Sequence, residues 1–267
     1  MEYFWYVIAA LGAGVTTGLV GLSAAAVMVP ILIVLCPTFA VTGGQFQAVA
    51  IALASDVLAS VVSTAIYIRH KNIDLKRSWI VLVCVVATCI LGTIVSYFFT
   101  PPAVSEYASL GLCIFIGVRF LIQPDPKSKR LIAKGENLDK KGIIISVLFG
   151  LVIGFIVGFV GTGGGLMMLL VFTLFLGMER RTAVGTSTFI MAIAALIAFG
   201  AHSVTEVAIL LDHWKVLAIC APVATFGAVV SSLFANKVNG KVVGIVTGAI
   251  LTLLGTVLLI LHAFALL

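Results

Sequence analysis

Charged residues are scarce in this chain. Asp, Glu, Lys and Arg together make up 10% of its 267 residues, whereas hydrophobic residues make up 62%. This excludes an ordinary soluble domain, in which about a quarter of the residues carry a charge. Apolar runs long enough to cross a bilayer as helices recur along the chain, and their continuity excludes the short alternating strands of a β-barrel. The composition therefore predicts an all-α polytopic membrane protein.

Several sequence signals are absent, and each absence excludes a class of protein. No GxxxxGK phosphate-binding loop is present, which excludes ATP-driven transport by this chain alone. The five cysteines form no CxxC pair and no cluster with histidine at metal-ligand spacing, so we expect buried thiols and neither metal nor other cofactor. The N-terminal stretch MEYFWYVIAALGAG lacks a basic region and a cleavage pattern, and is predicted to be a retained first helix.

One polar stretch divides the chain near its middle. It reads QPDPKSKRLIAKGENLDKK (123–141), and its prolines and mixed charges predict a cytoplasmic linker. Residues 1–122 then form a first transmembrane repeat and residues 142–267 a second one.

The two halves resemble each other in sequence. GLVGLSAAAVMVP (18–30) aligns with GFVGTGGGLMMLL (158–170), and QAVAIALAS (47–55) aligns with TAVGTSTFI (182–190). The apolar runs number eight, so each half is predicted to hold one long interrupted segment followed by three ordinary transmembrane helices. An internal duplication of this kind is the usual plan of a secondary transporter.

The lysines and arginines indicate how the segments are oriented. Nearly all of them lie in short regions between apolar runs, so they are topology signals for the cytoplasmic side rather than a nucleic-acid-binding surface. The segment from 143 to 176 must then begin and end on one side, because a single crossing would place Arg180 and Arg181 outside. We therefore expect each interrupted segment to enter and return, which makes the halves inverted repeats and puts both termini outside. The alternative is eight simple spans with parallel repeats. The positive regions are 69–77, 119–141, 180–181 and 237–241.

The second interrupted segment breaks at GTGGG, residues 161–165. A non-helical break is tolerated in lipid only where protein buries it or where it lines a cavity. Glycines let a ligand approach the backbone, and the N–H groups of the following half-helix point into the gap with the positive end of its dipole. This predicts a substrate or anion site, with close helix packing as the alternative role of the glycines. The predicted site residues are Thr162, Gly163, Gly164 and Gly165.

The longer stretch GFVGTGGGLMMLLVFTLFLGMERRTAVGTSTFIMAIAAL (158–196) resembles the sulfite exporter TauE/SafE family, also called the toluene-sulfonate uptake permease family. Its members carry a glycine-rich break in both halves, each followed by an A-V-x-T-S-like stretch that opens the next helix. The resemblance spans the whole chain, with two halves, a charged central linker and a similar length. It implies a transporter of small sulfur-containing anions such as sulfite, sulfonates or sulfoacetate, and less often of carbon-only organic acids.

Two departures from the family pattern make the breaks unequal. The first half has Ser23, Ala24 and Ala25 where the family often has glycines, so its loop is less open and Ser23 is expected to offer a hydroxyl to the ligand. The second half lacks the proline that often follows, because Leu170 aligns with Pro30.

A further group of candidate ligands lies in AVGTSTF (183–189), at the start of an apolar helix. Hydroxyls and free N–H groups at a helix N-terminus form an anion cradle. The alternative is ordinary capping, or bonding back to the helix carbonyls. The equivalent stretch of the first half is apolar, and Gln45 and Gln47 are the donor candidates there. The hydroxyl candidates are Thr186, Ser187 and Thr188.

Asp56 is the most unusual single residue, because it lies near the middle of the apolar run 48–68. An acid at mid-membrane is costly and is by default a hypothesis of function. A carboxyl that is hard to ionise suits a proton carrier, so we expect Asp56 to couple anion movement to protons or sodium. The alternative is a structural carboxyl that accepts a hydrogen bond from a nearby hydroxyl such as Ser60 or Ser63.

These observations favour a secondary transporter of the cytoplasmic membrane, working by alternating access around a mid-membrane site between the halves. The alternatives are an anion channel, since broken helices also build filters, and a carrier of small carboxylates. An enzyme that pairs Ser187 with His202 is disfavoured, because 15 residues along one helix separate them by about 22 Å. The expected partners are a small anionic substrate and the lipid bilayer, with no nucleic acid and with a homodimer left open.

Overall fold

The computed structural model describes residues 2–39, 44–99, 110–111, 114–115, 117–123, 139–160, 164–235, 237–238 and 240–265. Every regular element within these ranges is helical. A short 3₁₀ helix follows α2 and a π-helix follows α6. The α-helices are α1 (Glu2–Val20), α2 (Ala25–Leu35), α3 (Gly44–Arg69), α4 (Leu75–Phe99), α5 (Lys140–Val160), α6 (Gly164–Leu170), α7 (Arg180–Asp212), α8 (Trp214–Ala235) and α9 (Gly240–Ala265).

Six of these helices are long and apolar enough to cross a bilayer, namely α1, α3, α4, α5, α7 and α8. Two further apolar stretches are shorter, Ala25–Leu35 and Gly244–Val257. The chain is therefore a multi-pass membrane protein, as its composition predicts. The predicted linker lies almost wholly outside the described residues.

The first interrupted segment folds back on itself. α1 ends at Val20, residues 21–24 form the break, and α2 returns toward the start of α1. The ring of Phe39, just after α2, lies 6.3 Å from the ring of Tyr6 near the start of α1. The Tyr6 hydroxyl also lies 3.3 Å from the Thr38 hydroxyl oxygen. The two ends of this segment are therefore neighbours.

The second interrupted segment also folds back. α5 ends at Val160, α6 begins at Gly164, and the helix continues into the π-helix Val171–Phe175. Phe175 stacks on Phe149 of α5 with ring centroids 5.1 Å apart, so the returning part lies along the first part. The turn that follows is closed by a hydrogen bond from the Met178 N–H to the Phe172 carbonyl, with Gly177 at a φ of +60°.

Glycines bring two helix pairs from different halves into close contact. In the α1–α8 pair, Gly14 contacts Ala224, and Gly18 contacts Ala228 and Ser231. In the α4–α5 pair, Gly154 contacts Val85, and Gly158 contacts Cys89. A Cβ on any of these glycines would collide with the neighbour, which is the small-residue packing that membrane helices use in place of a hydrophobic driving force. In both pairs the contacts advance in the same direction along each chain, so the paired helices run parallel. α3 and α7 pack together between these pairs.

One helix is longer than its apolar run predicts. The hydrophobic pattern ends near residue 201, but α7 continues to Asp212. The stretch 202–212 contains neither glycine nor proline, so nothing in it stops the helix once the apolar part has formed. The side chains of this stretch, including His202, lie outside the described residues.

Candidate functional site

The two helix breaks meet at one point. A Cβ on Gly165, at the start of α6, would lie 1.9 Å from the carbonyl oxygen of Gly21 in the first break. Only a glycine at position 165 permits this approach. Gly21 itself has a φ of +70°, a conformation that glycine adopts at little cost and other residues rarely adopt. The backbones of the two halves therefore touch where each helix is interrupted, and we call this contact the crossing.

Ser187 and Thr188 of α7 lie against the crossing. A Cβ on Gly21 would be 2.6 Å from the Ser187 Oγ and 2.8 Å from the Thr188 Oγ1. Both hydroxyls donate to the Val184 carbonyl one turn earlier, at 2.9 and 2.8 Å. Both side chains are fully buried. The predicted hydroxyl pair is thus at the crossing, and in this conformation its protons are bonded back to its own helix.

The other predicted ligands lie elsewhere or outside the described residues. The Thr186 Oγ1 accepts a hydrogen bond from the Asp74 N–H at 3.0 Å, so it faces the loop between α3 and α4. Gln47 is half-buried near the start of α3, close to where Gly44 packs on Phe39. Thr162, Gly163 and the side chain of Gln45 lie outside the described residues.

Asp56 lies at the first break and is fully buried. Its Oδ2 accepts a hydrogen bond from the Ser23 hydroxyl at 2.5 Å, and its Oδ1 accepts one from the Ser60 hydroxyl at 2.9 Å. The carboxyl also lies beside the backbone N–H of Ala24. It is thereby placed at the N-terminus of α2, which is where a helix holds negative charge best. The other hydroxyl suggested by the sequence, Ser63, instead pairs with Ser232 at 3.0 Å.

The second break carries no such carboxylate at the matching position. By the alignment of the two halves, Asp56 corresponds to Met191. The Met191 side chain is buried, and its sulfur would lie 3.3 Å from a Cβ on Gly164. One break therefore has an acid of its own where the other has a thioether.

Two buried polar features were not predicted from the sequence. The Tyr67 hydroxyl donates to the Gly18 carbonyl at 2.8 Å, one turn before the first break. Asp74, just before α4, and Arg77, in its first turn, form a buried ion pair. Tyr67 sits in an apolar run without any motif, so no signal pointed to it. Asp74, just before a helix, carries a capping signal that would have identified it.

Two cavities in the described part of the chain are lined by residues other than those of the crossing. A groove of about 640 Å³ between α3 and α8 is lined by apolar side chains such as Leu58 and Leu217. A smaller cavity of about 350 Å³ lies beside Lys71 and Phe189. Ser23, Ser187 and Thr188 are each at most 1% exposed, so the crossing is closed in this conformation.

Comparison with known proteins agrees with the sequence motifs. Residues 6–258 match the family described as Sulfite exporter TauE/SafE. The chain is also similar to the Probable membrane transporter protein YunE of Bacillus subtilis (strain 168), with 24% identity over 275 residues covering 96% of each chain. No solved structure shows a significant match. The resemblance inferred from the glycine-rich break is confirmed: the chain belongs to the TauE/SafE sulfite exporter family of membrane transporters.

Proposed function

We propose that this protein is a secondary transporter that carries small sulfur-containing anions, such as sulfite, sulfonates or sulfoacetate, across the cytoplasmic membrane. The family description names sulfite export, and the similar Bacillus subtilis protein is described as a probable membrane transporter. The observation that carries the proposal is the crossing, where Gly165 meets the Gly21 carbonyl under Ser187 and Thr188. Transporters commonly bind substrate where discontinuous helices meet near mid-membrane.

The mechanism we propose is alternating access between two inverted repeats. Support comes from the two segments that fold back, and from parallel pairing of α1 with α8 and of α4 with α5. With these pairings, the positive loops at 69–77, 140–141, 180–181 and 237–241 all fall at one end of the bundle, which we take as cytoplasmic. Both termini are then outside. A closed crossing is the conformation expected between the outward-open and the inward-open conformations of such a transporter.

The substrate anion is proposed to bind at the second break rather than the first. At the first break the Asp56 carboxyl already accepts the Ser23 hydroxyl, and in its ionised form it would repel a second negative charge there. At the second break Met191 presents no charge, and glycines let a ligand approach the backbone closely once the crossing opens. The site consists of residues 162–165 together with Ser187 and Thr188, whose hydroxyls turn from Val184 to the anion when it binds. Ser23 and Thr186 then support the site, and Gln47 is a contact on the entry path.

Asp56 is the proposed coupling residue, for protons or for sodium. It is the one acidic residue of α3, it lies near the middle of that helix, and it is fully buried. Its hydrogen bond with Ser23 connects it directly to the first break. A change in the charge of Asp56 is therefore expected to affect the crossing through Ser23. A homodimer remains compatible with this scheme.

The test is thermal stabilisation of the purified protein by sulfite, thiosulfate, sulfonates and carboxylates. A ligand at a hundred times its Kd stabilises the folded state by about 2.7 kcal/mol. That corresponds to a rise of about 5–10 °C in the unfolding midpoint for a chain of this size. Stabilisation by carboxylates alone would refute the sulfur-anion substrate. Saturable uptake with counter-flow distinguishes the carrier from an anion channel.

A variant pair tests the position of the site. Met191→Asp brings a carboxylate to the second break, as Asp56 does at the first, and is expected to abolish stabilisation by sulfite. Met191→Asn is the matched control, because it adds similar polarity without the charge. If sulfite stabilises both variants equally, the anion does not bind at the second break.

A further inference from the structure

A buried ion pair lies where the loop between α3 and α4 enters α4. The Arg77 Nε donates to the Asp74 Oδ2 at 2.9 Å, and the two side chains are 1% and 2% exposed. Asp74 also caps α4, since its Oδ1 accepts the Arg77 N–H at 3.3 Å, and its carbonyl accepts the Ser78 hydroxyl at 2.7 Å. Arg77 is thus not one of the surface charges of the positive loop, among which its sequence position had placed it. Burying an ion pair is costly, and an apolar pair often serves stability equally well, so stability alone does not account for this pair.

Arg77 reaches into the second half of the protein. Its Nη1 donates to the Leu176 carbonyl at 3.3 Å. Leu176 follows the π-helix that continues α6, at a helix end where carbonyls have no partner within the helix. A guanidinium there both satisfies a carbonyl and complements the negative end of the helix. The other end of the same helical run is Gly164–Gly165 at the crossing. Arg77 therefore fixes how far this run extends toward the crossing.

Asp74 makes the second contact with that half. Its backbone N–H donates to the Thr186 Oγ1 at 3.0 Å. One residue earlier in α7, a Cβ on Gly185 would lie 2.2 Å from the Asn72 carbonyl oxygen, so loop and helix are in close contact. The two residues that follow Thr186 are Ser187 and Thr188, which lie against Gly21. The loop thus also fixes the rotation of the helix turn that carries these hydroxyls.

We infer that the Asp74–Arg77 pair is a positioning element for the anion site of the opposite half. It holds the end of the α6 run through Leu176 and the start of α7 through Thr186, the two elements that form the site. The pair acts through these two contacts and does not touch the anion. The inference rests on the proposed function, because it assigns a role toward that site.

The test uses variants of the pair in proteoliposomes, with sulfite as substrate, and thermal unfolding of the same proteins. Arg77→Gln is expected to raise KM for sulfite about tenfold or more, because the helix end moves relative to α7. Arg77→Lys keeps a positive charge beside Asp74 but lacks the guanidinium group that also reaches the Leu176 carbonyl. The unfolding midpoint of this variant should therefore stay near that of wild type, while KM for sulfite still rises. Lys76→Gln, an exposed neighbour, is the control and keeps the wild-type KM.

The double variant Asp74→Asn with Arg77→Gln separates positioning from stability. Removing both charges leaves no unpaired buried ion, so its unfolding midpoint is expected to recover relative to Arg77→Gln, while KM stays high. If KM recovers together with the midpoint, or if Arg77→Lys has the wild-type KM, the pair is structural only and the inference is wrong. A wild-type protein that neither binds nor transports any anion of the panel would instead refute the proposed function itself.

Discussion

Gly165→Ala adds a single methyl group at the crossing, and its effect can be worked out from the structure. The new Cβ would lie 1.9 Å from the Gly21 carbonyl oxygen and 3.0 Å from its carbonyl carbon. Both are backbone atoms, so no side-chain rotation relieves the contact. Gly21 is in turn held between Gly165 and the hydroxyls of Ser187 and Thr188. The variant therefore forces the two breaks apart.

Two effects of opposite sign decide the magnitude. Alanine is the better helix former by about 1 kcal/mol, which favours the variant. Overpacking a close-packed interior costs about 1–3 kcal/mol, and the upper end applies where only backbone can move. The net loss is about 2 kcal/mol, which lowers the unfolding midpoint by about 5 °C for a chain of this size. Sulfite binding should fall further, because the same shift separates the parts of the proposed site.

The assay is thermal unfolding in detergent, with and without sulfite. Gly200→Ala on α7 is the matched control: a Cβ there meets nothing within 4 Å, so only the helix-propensity gain remains and the midpoint should stay or rise slightly. A Gly165→Ala protein with the midpoint and sulfite response of wild type would refute the claim that the breaks touch at these residues.

Two further predictions concern polar groups near the breaks. Asp56→Asn keeps the shape of the side chain but removes its charge and its exchangeable proton, so uptake into proteoliposomes should lose its dependence on pH or on sodium while the protein stays folded. Uptake that depends on both as in wild type would reject Asp56 as the coupling residue. Tyr67→Phe removes the hydroxyl that donates to the Gly18 carbonyl at 2.8 Å and should lower the free energy of unfolding by about 1–2 kcal/mol, measured by thermal denaturation. A variant as stable as wild type would mean that this carbonyl has another donor.

Features that depend on local sequence were predictable. Apolar run length identifies membrane helices, and a glycine run or a serine–alanine loop inside such a run indicates where the helix breaks. The first break was expected within 18–30 and lies at residues 21–24. The hydrogen bond between Ser60 and Asp56 was also foreseeable, because residues four apart on a helix are neighbours.

Features that depend on contacts between distant residues were not predictable. Ser23 and Asp56 are 33 residues apart, and Arg77 and Leu176 are 99 apart. Hydrophobic periodicity states which side of a helix is apolar, but it does not state which helix packs against that side. For the same reason Arg77 was assigned to the positive loop by its sequence position, whereas its burial against the other half is a tertiary property.

Under the proposed mechanism, the unequal breaks give the two halves different roles. Each half supplies a half-helix whose positive end points to the crossing, and each such end favours a negative charge. In the first half the Asp56 carboxyl, bonded to Ser23 and Ser60, supplies that charge when it is ionised. In the second half Met191 leaves the place uncharged, so under the proposed mechanism the charge arrives with the substrate. Carboxylates at both breaks would exclude the substrate anion. Without a carboxylate at either break, the two half-helix ends would compete for the substrate anion. We therefore propose that the difference between Asp56 in one half and Met191 at the matching position of the other assigns substrate to one break and coupling to the other.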